Sequence, residues 1–360
     1  MIRVLQIGMS FESGGVETFV MTYYRHIDRT KIQFDFINPY NKPLAYEEEI
    51  LKLGGTVYKV ADFHKKPFKY KKDLEKIMPA YEVIHVHMQS AANLVPFYVA
   101  KSQNVKRRIA HSHNSRPEGF VRKLLHFLNY KKISKIATDF FACSNLAGDW
   151  MFGKGVNYSV IQNAIEAEKY VYNNEIRNEL RTSLGIATDS LVYGNVGRLD
   201  VAKNHLFLLR IFYKILEKQP NSVLCIIGEG KLRSEITALT ESLGISDKVC
   251  LLGRRNDVVK LYNIFDAIIM PSLFEGLPIT LIEAQTNGLK CFVSKDRITD
   301  ETRILENMEF IDLDEGDEKW AEKIVTSNLK RDSCAIDKIN EAHFNISTEV
   351  VILEKKYTGI

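Results

Sequence analysis

No stretch of this 360-residue chain approaches the roughly 18 uninterrupted apolar residues that a membrane-crossing helix requires. The opening MIRVLQIGMSFESGG has no basic segment ahead of an apolar stretch and no small-residue cleavage site, so it does not read as a secretory signal. Cysteine is scarce and odd in number. Cys143, Cys225, Cys250, Cys291 and Cys334 lie far apart, which argues against a disulfide framework and suits reduced, mostly buried thiols. Short-period repeats and low-complexity segments are missing too, so neither a solenoid nor a disordered tail is expected. The net charge of +4 says little about partners. Cytoplasmic residence is expected, with at most peripheral attachment at the inner face of the cell membrane.

What is present is ordinary for a globular protein of about two domains: 45% apolar and 26% charged residues, enough for a sizeable core. The charge is unevenly spread. Residues 1–165 carry 24 basic and 14 acidic side chains, a net of +10, whereas residues 166–360 carry 25 and 31, a net of −6. One half is therefore suited to an anionic surface or partner.

Short apolar runs alternate with helical patterns from the first residue. Strands are predicted at 2–8, 33–38, 56–60, 83–87, 107–111 and 139–144, and an amphipathic helix follows Gly15 on the spacing of Val16, Phe19, Val20, Tyr23, Tyr24 and Ile27. A polar stretch at 163–189 interrupts the pattern, and strands resume at 190–197, 223–228, 248–253, 267–272 and 290–294. Apolar strands alternating with helices imply parallel sheets covered on both faces. The expected fold is α/β, two doubly wound Rossmann-like domains facing across a cleft, with ligands held beyond the carboxyl ends of the strands.

Three loops there carry chemistry. Gly14 and Gly15 join the first strand to the first helix, where backbone N–H groups and the positive helix end could face a phosphate or sugar; a plain helix-entry turn is the other reading. The dinucleotide fingerprint G-x-G-x-x-G is absent, and Asn38 ends the second strand where a ribose-binding acid would sit, so NAD is not expected. In VGRLDVAKN (196–204), Arg198 and Lys203 stand before a helix whose dipole they oppose, a cost that a diphosphate between them would offset. In PSLFEGLPITLIEAQTNG (271–288), Glu275, Gly276, Leu277 and Pro278 form a loop ahead of a helix carrying Glu283. Free N–H groups there could meet a phosphate, and the two acids could accept hydrogen bonds from sugar or ribose hydroxyls.

With SGGVETFV, HSHN (111–114), FFACS, VIQNAIE, VGRLDVAKN, the IIGEG turn and the E-x7-E element from Glu275 to Glu283 in this order, the sequence resembles the retaining glycosyltransferases of family 4. These have the GT-B fold, and the similarity is to bacterial enzymes that build capsular polysaccharide and exopolysaccharide. The resemblance implies an acceptor-side domain at 1–165, a nucleotide-sugar domain at 166–345 and a C-terminal helix, 346–360, crossing back to the first domain. It implies that Gly14 and Gly15 lie near the donor diphosphate and acceptor, that Arg198 and Lys203 hold the leaving diphosphate, that Glu275 meets donor-sugar hydroxyls and that Glu283 meets ribose. His113, with His111 less favoured, would lie beside the sugar; Gly228, Glu229, Gly253, Arg254, Gly276 and Leu277 would lie near the nucleotide. The implied reaction is transfer with retention of a hexosyl or N-acetylhexosaminyl unit, from a UDP-sugar to a glycan or lipid-linked saccharide, with no metal and no cofactor.

Competing readings remain at this stage. HVH (85–87) and HSH (111–113) place imidazoles at metal-ligand spacing, as in a hydrolase, or else are histidines satisfied at strand ends. An epimerase of the same architecture would share the phosphate loops. Asp312 and Asp314 copy a D-x-D motif but lie in an acidic surface loop. No nucleic-acid module is evident. Segment 119–136 joins Val121, Leu124, Leu125 and Leu128 to Arg122, Lys123, Lys131, Lys132 and Lys135, the composition of an interfacial helix on an anionic membrane, or of a core stripe with a solvated face. A second basic cluster, 64–72, carries Phe68 and Tyr70.

Overall fold

The protein, as a computed structural model, is described for residues 1–114, 120–275 and 277–359, the side chains of Phe120 and Val121 excepted. The chain divides into two compact units, Met1–Ile165 with Asn345–Ile360, and Glu166–Phe344. In the first, strands β1 (Ile2–Ile7), β2 (Ile32–Asn38), β3 (Val57–Lys59), β4 (Val83–Met88), β5 (Arg107–Ser112), β6 (Asp139–Ala142) and β7 (Ser159–Val160) form one sheet in the order β3-β2-β1-β4-β5-β6-β7. All its pairings are parallel.

The second unit repeats the plan with β8 (Leu191–Val196), β9 (Ser222–Ile227), β10 (Val249–Gly253), β11 (Ala267–Met270), β12 (Lys290–Ser294) and β13 (Met308–Ile311), ordered β10-β9-β8-β11-β12-β13 and again parallel. Both faces of each sheet are covered, so the central strands read as nearly continuous apolar runs; β2 and β4 are buried at every position. Strands β7 and β13 are not anticipated by the sequence pattern. β7 has only two residues, and the four of β13, MEFI, carry an acid among apolar residues.

Helix Gly15–His26 buries Val16, Phe19, Val20, Tyr23 and Tyr24 on the face the sequence spacing predicts. The C-terminal helix, Ile346–Thr358, starts on Asn345, whose side chain accepts from the Ser347 N–H. Its buried face, Ile346, Val350, Leu353 and Tyr357, joins the core that contains Val4, Phe19 and Phe34 of the first unit. Among the described residues no helix is long and apolar enough to cross a membrane.

In each sheet the chain order reverses once, between β1 and β4 and between β8 and β11. Loops leaving the strands on either side of such a point run in opposite directions and open a crevice. Close backbone approach there demands glycine. Gly8, just after β1, has φ +119°, and a Cβ on it would stand 2.3 Å from the His87 carbonyl oxygen. Gly228, just after β9, has φ +150°, and its Cβ would stand 1.8 Å from the Gly197 carbonyl oxygen. Gly15 has nothing within 4 Å of that position. Gly8→Ala and Gly228→Ala are therefore expected to lower stability by about 2–4 kcal/mol each and Gly15→Ala to change it by under about 0.5 kcal/mol, read from urea unfolding. Equal effects at the three positions would contradict this account.

Candidate functional site

The second unit's reversal point is formed by the loops after β8 and β11. They are stitched together by backbone and side chain: Leu273 N–H donates to the Ala202 carbonyl at 2.8 Å, and the Asn204 amide donates to the Pro271 carbonyl at 3.0 Å. Lys203 reaches across, its Nζ 2.6 Å from Glu275 Oε1, and the Ser272 hydroxyl donates to the same oxygen at 2.8 Å. Both charged side chains are largely buried, 15% and 12% exposed. The sequence leads one to expect Lys203 open to solvent beside Arg198, and in that respect it is corrected: a buried carboxylate lowers the cost of holding the ammonium out of water. Arg198 alone is open, 88% exposed and 3.6 Å from Asp200.

Glu283 lies on the helix Ile279–Thr286 that follows. Its two oxygens accept from the Tyr170 hydroxyl at 2.6 Å and the Tyr262 hydroxyl at 2.7 Å. Burial raises the pKa of this carboxyl, while the two phenolic hydrogen bonds act the other way and favour its charged form. Neither tyrosine is legible as its partner from local spacing, because one precedes the first helix of the unit and the other lies in a short turn after β10. Glu229 pairs with Arg233 at 2.8 Å beside Gly253, Arg254 is exposed, and Leu277 is half-buried. Gly276 lies outside the described residues. Asp312 accepts from the Asp314 N–H as the cap of a short turn, which accounts for that pair.

In the first unit, Gly14 and Gly15 are exposed at the entry to their helix, where the Glu17 carboxylate accepts from the Ser10 N–H at 2.8 Å and folds the preceding loop back. At the β1/β4 reversal a cavity of about 450 Å3 opens, lined among others by Gly8, Met9, Tyr40, His87, Gln89 and Arg122. Four imidazoles are gathered beside it. His85 and His87 on β4 and His111 on β5 are buried, and His113, just past β5, is half-buried. His87 Nδ1 is 2.8 Å from His113 Nε2, and His87 Nε2 is 2.9 Å from Gln6 Oε1. His85 Nδ1 is 2.5 Å from the Tyr357 hydroxyl, and its Nε2 is 3.0 Å from His111 Nδ1.

Burial lowers the pKa of all four, that of His113 to about 3, so they are neutral. Nitrogens of His85, His87 and His111 come within 4.8 Å of one another. Yet both nitrogens of His85 and His87 and one of His111 are engaged in hydrogen bonds, and among the described residues no carboxylate joins them. The donor set is that of a hydrogen-bonded chain. A metal centre would have to break it. Gln6 and Tyr357 were not singled out from the sequence, since one sits inside an apolar strand and the other far along the chain.

The surface of this unit also differs from a simple core stripe. Helix Phe120–Ile136 buries His126, Ile133 and Ile136, whereas Leu124, Leu125, Phe127 and Leu128 are exposed together with Arg122, Lys123, Lys131, Lys132 and Lys135. Gly119 and the side chain of Val121 lie outside the described residues. In the second basic cluster Phe68 is exposed and Tyr70 is buried.

The family model "Glycosyl transferases group 1" matches residues 176–324. The chain is 34% identical over 334 residues to EpsF of Bacillus subtilis (strain 168), provisionally assigned as a glycosyltransferase, covering 89% of this chain and 86% of that protein. It is 24% identical over 365 residues to the capsular polysaccharide biosynthesis glycosyltransferase CapH of Staphylococcus aureus, covering 97% of each. The solved structure of Anabaena Alr3699/HepE in complex with UDP superposes over the full length of both chains with a TM-score of 0.81 at 17% identity, a likeness of fold. That likeness bears out the GT-B architecture.

The buried imidazoles have a consequence for stability. Their folded pKa values lie below the 6.5 of a free histidine, so as pH falls the unfolded chain takes up protons first, and stability present above pH 6.5 is lost towards the folded values. Each such histidine is expected to cost about 2 kcal/mol at pH 5 relative to pH 7. Urea unfolding at the two values checks this, and stability unchanged between them would show that the imidazoles protonate without penalty.

Proposed function

Because the chain belongs to the group 1 glycosyl transferases, we propose that it moves a hexosyl or N-acetylhexosaminyl unit, with retention, from a UDP-sugar to a glycan or lipid-linked saccharide during surface polysaccharide synthesis. The observation that carries this reading is the Lys203–Glu275 pair at the β8/β11 reversal, with Arg198 open beside it. Transfer develops positive charge on the sugar and negative charge on the departing diphosphate. Cations already in place at the phosphate favour that transition state without reorganising. Lys203 donates one of its three N–H groups to Glu275 and keeps two for phosphate oxygens; Arg198 can add a bidentate contact. In this reading Glu275 accepts from sugar hydroxyls, and Glu283, held by its two tyrosines, from the ribose. The departing phosphate oxygen can take the acceptor's proton, so no protein base is needed, and the two cations make a divalent ion unnecessary.

The bound UDP of HepE and the capsular role named for CapH support the donor base and the pathway class. Transfer of radiolabel from UDP-sugars into a lipid or glycan acceptor tests the reading, and label retained in a soluble, epimerised nucleotide-sugar would overturn it. Arg198→Ala is expected to lower kcat/KM by roughly 30- to 1000-fold, about 2–4 kcal/mol, with the melting temperature unchanged. Lys203→Ala should lose as much activity and some stability as well, because it leaves Glu275 buried without its partner. Activity that is abolished by EDTA and restored by magnesium would refute the metal-independent scheme.

The first unit is read as the acceptor side, its 450 Å3 cavity as a place for the acceptor saccharide and helix Phe120–Ile136 as a contact with an anionic membrane surface. Exposed Leu124, Phe127 and Leu128 offer apolar area, and five basic residues on the same helix complement acidic headgroups at about 1 kcal/mol each. Co-sedimentation with anionic vesicles should occur at low salt, weaken at high salt, and be lost when Lys131, Lys132 and Lys135 are changed to Glu. Binding that ignores both salt and charge reversal would rule the surface out.

A further inference from the structure

Gln6 stands near the carboxyl end of β1, 2% exposed, between two parts of the imidazole cluster. Its amide Nε2 donates to the Tyr357 hydroxyl at 3.4 Å, and its Oε1 faces His87 Nε2 at 2.9 Å. An amide oxygen can only accept, so the single proton of neutral His87 is on Nε2. His87 Nδ1 is then an acceptor, and the proton in its 2.8 Å contact belongs to His113 Nε2. His113, neutral as well, is left with a lone pair on Nδ1.

The other arm follows the same logic. The Tyr357 hydroxyl accepts from Gln6 and donates to His85 Nδ1, and His85 Nε2–H donates to His111 Nδ1. His111 Nε2 ends the chain as a buried N–H with no hydrogen-bond partner among the described residues. Phe19 and Phe141 stand perpendicular to that ring at centroid distances of 4.9 and 5.9 Å, surroundings that suit an N–H better than a lone pair. Every donor in the series His113, His87, Gln6, Tyr357, His85, His111 points the same way, so the bonds polarise one another and reverse only together.

We propose that Gln6 and Tyr357 are positioning residues that hold His113 as its Nε2–H tautomer, presenting the Nδ1 lone pair to a hydroxyl of the bound saccharide. The saccharide part rests on the reading of His113 as a sugar contact; the tautomer part does not. Through Tyr357, the C-terminal helix takes part in the site, although its hydroxyl is two hydrogen-bonded residues removed from His113. Without that hydroxyl the Gln6 amide is free to turn over, donate to His87 Nε2 and push the His113 proton to Nδ1.

Two measurements test this on the full chain. Long-range 1H–15N spectra of the histidine rings should show His87 and His113 as Nε2–H in the wild type, and His113 shifted towards Nδ1–H in Tyr357→Phe. His113 already Nδ1–H in the wild type, or a tautomer untouched by Tyr357→Phe, would overturn the chain whatever the reaction. Tyr357→Phe should also lower kcat by about tenfold while the dissociation constant for UDP stays as in wild type, a split that a general loss of structure would not give. Gln6→Met, which removes both contacts of the amide at similar volume, should do the same. Unchanged kcat in both variants, with His113→Ala inactive, would overturn the positioning role alone. Absence of any sugar transfer by the wild type would remove the proposed reaction and leave the tautomer result standing.

Discussion

The second unit's site depends on the ion pair between Lys203 and Glu275. Two loops that leave β8 and β11 in opposite directions would otherwise bring an ammonium and a carboxylate out of water separately, each at a cost of several kcal/mol. Paired at 2.6 Å, with the Ser272 hydroxyl on the same oxygen, they compensate one another and fix the distance between the loops. The backbone bond from Leu273 to Ala202 and the amide bond from Asn204 to Pro271 then have a defined geometry to close. Arg198 stands outside that pair, 88% exposed and 3.6 Å from Asp200.

The first unit uses the same topology for the opposite electrostatics. Its reversal point holds neutral imidazoles in a hydrogen-bonded chain, and most of its exposed lysines lie on the helices at 120–136 and 67–77, with Arg122 of the former reaching the cavity. In the transfer proposed above, the charged site would meet the departing diphosphate and the neutral one the saccharide hydroxyls. Burial against Phe19, Phe141 and Tyr357 lowers the pKa of His85 and His111 and keeps them neutral below the usual range.

That arrangement explains why the last helix belongs to the first unit. Tyr357 is both core and hydrogen-bond partner. The helix around it is tied down by Arg107, which donates to the Tyr357 carbonyl at 2.9 Å, and by Glu354, which accepts from the Asp28 N–H at 2.7 Å.

Alternating short apolar runs and amphipathic stretches were enough to specify two parallel sheets, because strand and helix periods and turn residues are local properties of the chain. The loops that carry the site were legible for the same reason: Gly14, Arg198, Lys203 and Glu275 all fall between the end of a strand and the start of a helix, and Glu283 lies on the helix that follows. Partners were not legible. Lys203 and Glu275 are 72 residues apart and Gln6 and Tyr357 are 351 apart; sheet order brings the first two together and the docking of the C-terminal helix the second two. Nor could composition tell that Leu124, Leu125 and Leu128 face outward, since an apolar stripe at helical spacing is the same whether a core or open surface lies opposite. Local spacing determines which residues share a face; what that face meets is decided by packing of segments far apart in the chain.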